Sequence, residues 1–241
     1  MPLPEPVLEI WSQVSTTQLA PSPAVVAATA LLGAALVLPR PLWRRTRHVA
    51  TIAHEGGHAL VAVLCGRRLA GIRLHPDTSG LTVSRGRPTG PGVVATLLAG
   101  YPAPALLGLA AAWVLATGYA VALLWGCVGL LAALVVQVRN WFGLWSVLVT
   151  GVAVAAASYW VPERWQSAAA HLVTWFLLLA APRPVVELVA GRAGRRRRSR
   201  TGRSDPDQLA RLTSVPAGVW VAVFAVVTLG ALLLGGRLLL L

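Results

Sequence analysis

From Val49 to Cys65 the chain reads VATIAHEGGHALVAVLC, an apolar run interrupted by His54, Glu55 and His58. Ionisable side chains in such a setting are expensive to desolvate, so by default they are functional. On a helix, positions i and i+4 lie one turn apart on the same face. His54 and His58 can therefore point two imidazoles at one metal ion, with Glu55 beside them to handle a proton. In a soluble helix the same H-E-x-x-H spacing also arises as solvated polar residues. Inside a membrane the competing readings are a structural histidine cluster or a haem-type site between helices.

Composition says which solvent applies. Of 241 residues, 56% are hydrophobic and 12% are charged, and mean hydropathy is +0.68. That is the profile of a multi-span membrane protein. Several runs reach the roughly 20 apolar residues that cross a bilayer core of about 30 Å. No cleavable signal peptide stands out, because the first residues are acidic and lack a basic n-region. The expected fold is all-α and polytopic, with six to seven hydrophobic helices and a small β-hairpin after the motif helix.

The 21 basic residues are all arginine, and with the abundance of Ala, Gly, Val and Leu they suggest a GC-rich bacterial genome. The expected location is the bacterial inner membrane, multi-pass. A net charge of +13 does not call for nucleic acid here. The arginines sit between apolar runs, where they set topology and lean on anionic lipid of the bilayer. Cys65 and Cys127 lie in apolar runs and fit neither a disulfide framework nor a CxxC metal site.

Along the chain, residues 1–22 are an extracytoplasmic N-terminal segment and 23–188 a membrane domain. Within it, residues 48–65 are the motif helix. Residues 66–90 are a hairpin, with β-prone runs flanking Pro76-Asp77-Thr78-Ser79-Gly80. An open strand edge there, at Leu81, Thr82 and Val83, is a candidate binder of an extended peptide by β-augmentation; an ordinary surface hairpin is the alternative. Gly100-Tyr101-Pro102-Ala103-Pro104 should bend its span. Pro182, Arg183 and Pro184 should end the span that carries His171. Residues 189–214, with Arg195-Arg196-Arg197-Arg198, are a polybasic cytoplasmic connector, and 215–241 the last membrane helix. Arginine-rich loops lie on both sides of the motif helix. The positive-inside tendency is obeyed throughout the later loops if that helix does not span fully or the hairpin folds back.

These residues resemble the site-2 protease type of intramembrane zinc metalloprotease, in its compact bacterial branch. The resemblance rests on a short first span, HEGGHA in an apolar helix, the hairpin, VRNWFG at Val138 to Gly143 and SDPDQLARLT at Ser204 to Thr213. It implies His54 and His58 as Zn2+ ligands and Glu55 as the catalytic group that activates water and later protonates the leaving amine. It also implies a third ligand, usually an aspartate in a later membrane helix. Here the aspartates are Asp77, Asp205 and Asp207, none in an apolar run. Asp205 is the leading candidate if the connector folds back over the site; Asp207, Asn140 and His171 are weaker ones. The implied function is hydrolysis of peptide bonds in or near transmembrane segments of a membrane-protein substrate. A catalytically inactive scaffold and a metal or proton transporter are the alternatives, and a transporter would spread its polar groups over several helices.

Overall fold

The computed structural model describes residues 5–193 and 204–241. In chain order the elements are α1 (Glu5–Ser15), α2 (Pro23–Val37), α3 (Arg40–Leu64), β1 (Arg68–Leu74), β2 (Gly80–Arg85), α4 (Pro91–Ala99), α5 (Pro102–Ala116), α6 (Ala120–Gln137), α7 (Trp141–Tyr159), α8 (Glu163–Ala180), α9 (Pro182–Ala193), α10 (Asp205–Thr213) and α11 (Ala217–Leu240). The protein is thus mostly helical, with one two-stranded antiparallel hairpin. Proline marks many of the starts. It stands in the first two positions of α2, α3, α4, α5 and α10, where its missing N–H costs nothing and its fixed φ suits the helix.

By length and composition, α6, α7, the continuous stretch Arg164–Arg192 and α11 can each cross a membrane. Two further spans arise if bent pairs count as one. α2 and α3 meet at 101°, and α4 and α5 at 65°. The second bend falls at Gly100-Tyr101, where the proline-rich sequence places it.

Three boundaries differ from the sequence reading. The motif helix begins at Arg40 rather than near residue 48. Pro39 and Pro41 start it, and Trp43 buries against Val37 and Phe176, which draws the arginine-rich entry into the helix. Pro182 does not end the preceding span, because it occupies the first position of α9 and the helix resumes there. The connector, read as a polybasic cytoplasmic segment, contains α10, an amphipathic helix whose Pro206 and Leu209 are buried. Leu209 packs with Val185, Val221 and Phe224, and Val94, Leu97, Leu98 and Tyr101 close around them. Burying a leucine is worth about 1.5–3 kcal/mol, which explains why a polar nine-residue helix lies down on α4 and α11. The run Arg195 to Arg198 lies outside the described residues.

The hairpin pairs Ile72 with Thr82 and Leu74 with Gly80. The outer edge of β1 is occupied. Ile72 bridges Val138 in parallel, and the Arg139 N–H donates to the Ile72 carbonyl at 2.8 Å. Asn140 is not beside the histidines, as its candidacy as a metal ligand would need. Its Oδ1 accepts from the Leu74 N–H at 3.1 Å and its Nδ2 donates to the Leu74 carbonyl at 2.7 Å. The side-chain amide completes the ladder exactly where another strand would, so β2 is left as the open edge. Asn140→Ala strips both partners from Leu74. Orphaning buried backbone groups costs about 1–3 kcal/mol each, so faster proteolytic nicking within residues 66–90 is the expected result.

Candidate metal centre

His54 and His58 project from α3 toward the bend between α4 and α5. Their Nε2 atoms are 3.1 Å apart. Asp205, the first residue of α10, brings Oδ2 to 3.2 Å from His54 Nε2 and 3.3 Å from His58 Nε2. The three donors form one compact His-His-Asp group capable of holding a metal ion. Around a tetrahedral ion at the usual zinc distances of ~2.0–2.1 Å, donor atoms stand about 3.3 Å apart. The spacing and the donor types both fit zinc.

The surrounding groups prepare the donors. The Thr96 carbonyl can only accept, so His58 Nδ1 must carry the proton it donates there at 2.6 Å. With Nδ1 so engaged, Nε2 is the nitrogen that faces the site, the arrangement that outer-shell carbonyls commonly impose on metal-ligating histidines. Tyr101 presents an edge-on ring to His54 at 4.9 Å between centroids and stacks on Phe224 of α11 at 5.0 Å. Gly100 sits against both imidazoles, and a Cβ there would come within 2.4 Å of His58 Nε2. Burial pushes the Asp205 carboxyl upward, but the two imidazoles bonded to it prevail and hold it well below the usual carboxylate range. It is therefore ionised, as a ligand must be.

Glu55 is buried at 4% exposure. Its Oε2 accepts a 2.6 Å hydrogen bond from Thr82 Oγ1 on β2. Leu81 and Val83, the flanking edge residues, are exposed. The weaker ligand candidates lie elsewhere. Asp207 pairs with Arg192 and accepts from Ser204. His171 is buried, and its Nδ1 bonds the Ser167 carbonyl at 2.8 Å within its own helix. Sequence reasoning missed Thr96 and Gly100. A backbone carbonyl has no sequence signature, and Gly100 reads in the sequence only as part of a bend.

Several helices long and apolar enough to cross a membrane, together with a His-His-Asp group that could hold a metal ion, describe a multi-pass membrane protein with a candidate metal centre. The Peptidase M50B-like family matches residues 27–235. The chain belongs to that family, which is site-2 protease-like. No curated protein and no solved structure matches it.

Proposed function

We propose that this chain is an intramembrane zinc metalloprotease that hydrolyses peptide bonds in or near transmembrane segments of other membrane proteins. The observation that carries this reading is the convergence of His54, His58 and Asp205 at 3.1–3.3 Å beside a buried glutamate. These three residues would hold the ion. When bound, zinc would acidify a water and polarise the scissile carbonyl. Glu55 takes the proton and returns it to the departing nitrogen, the general acid–base role. A helical substrate hides its carbonyls in its own hydrogen bonds, so it must be unwound. Leu81 to Val83 on the open edge of β2 would keep it extended by strand addition. The proposed setting is the inner membrane of a bacterium.

Metal analysis of the purified protein tests the reading. One zinc per chain is expected. A chelator should abolish cleavage of reconstituted single-span peptides, and zinc should restore it. A chain that binds no zinc is an inactive scaffold. One that binds zinc and moves it across vesicles without cleaving peptide is a transporter.

A further inference from the structure

Strand β2 touches Glu55 in two places. Thr82 Oγ1 donates to Oε2 at 2.6 Å and lies 3.1 Å from the Glu55 carbonyl oxygen. Gly80, on the same inward face, abuts the other side of the carboxylate; a Cβ there would lie 2.3 Å from Oε1. One turn earlier on α3, Thr51 Oγ1 donates to the Thr78 carbonyl at 3.1 Å and fastens the hairpin turn to the same helix. Among the described residues, Thr82 is the side chain that donates to Glu55. The carboxylate is thus oriented by the hairpin rather than by its own helix.

The same strand has its outer edge open. Ile72 turns its carbonyl to Arg139, away from β2, so its partner Thr82 turns its own N–H and C=O to the open edge, while its side chain stands on the sheet face that meets Glu55. The residue whose backbone would meet the peptide at the edge and the residue that aims the carboxylate are therefore one and the same.

We propose that Thr82 is a positioning residue for Glu55. Its hydroxyl holds Oε2, leaves Oε1 to handle the proton, and ties the aim of the carboxylate to the placement of the strand that takes the substrate. This rests on the metalloprotease reading above. A buried carboxylate also needs a donor for stability alone, and the two roles separate kinetically. A donor that only stabilises the fold changes how much protein is active. A donor that aims the proton acceptor changes turnover in protein that is fully folded and zinc-loaded.

The test uses full-length zinc-loaded protein and a reconstituted pool of single-span peptides, with cleavage rates followed by mass spectrometry. Misplacing a reacting group by about 1 Å can cost ~10²-fold. Thr82→Val should therefore lower kcat by about 10–100-fold, with KM and zinc content nearly unchanged. Thr82→Ser, which keeps the hydroxyl, should restore most of the rate. Gly80→Ala, which pushes on Oε1 with Thr82 intact, should also lower kcat without loss of zinc. If Thr82→Val turns over like the unsubstituted chain, the proposal is wrong. It is equally wrong if both variants lose folded, zinc-bound protein in proportion to activity. If the unsubstituted, zinc-loaded chain cleaves none of the peptides, it is the protease reading that fails, and this proposal with it.

Discussion

On the proposed function, the expected result for Glu55→Gln is that zinc is kept and proteolysis is lost. The glutamine is nearly isosteric, so it still fits the small space between Gly80 and Thr82. It is not one of the three donors in the His-His-Asp group, so metal content should stay at that of the unsubstituted protein. What it lacks is the capacity to accept a proton. A positioned general base contributes about 10²–10⁴-fold, and kcat should fall by that order. Zinc analysis and cleavage of reconstituted peptides, run on the same preparation, check both halves. Full cleavage by this variant would remove Glu55 from the chemistry.

The second large effect is expected at Asp205. Asp205→Ala deletes a donor that lies 3.2–3.3 Å from both imidazoles and leaves two histidines to hold the ion. Loss of an outer-shell partner typically costs 10–100-fold in metal affinity; loss of a donor itself should exceed about 100-fold and abolish activity. Asp207→Asn is the comparison, two residues away on the same helix. Asp207 engages Arg192 and Ser204 rather than the histidines. That variant should weaken the docking of α10 on α9 yet hold zinc within about tenfold of the unsubstituted protein, inside the outer-shell range. Competitive titration with a chromophoric chelator measures both. Equal affinities for Asp205→Ala and the unsubstituted chain would mean that another group completes the site.

What could be read in advance follows the range of the interactions. His54 and His58 are four residues apart, so helix geometry alone puts them on one face. The bend at Gly100-Tyr101 is also local, written in the prolines beside it. The third donor is different. The sequence narrows it to a few residues, but whether Asp205 reaches the histidines depends on the burial of Leu209 and Pro206 against distant helices. A polybasic neighbourhood argues locally for solvent, and tertiary packing overrides it. Asn140 shows the converse. An amide near an expected motif position invites a ligand role, yet its two hydrogen bonds go to Leu74, a pairing that only the folded hairpin creates. Thr82 is legible as part of an edge, whereas its bond to Glu55 depends on which face of the strand meets α3.

The position of α10 also governs the order of events during synthesis. The two imidazoles emerge early, while the carboxylate that joins them is encoded near the other end of the chain and is seated by contacts with α4 and α11. A ribosome-bound chain halted before α10 carries only two of the three donors. Capture of a metal by all three donors must therefore await synthesis of α10 and its seating on α4 and α11. Products terminated before α10 lack the third donor.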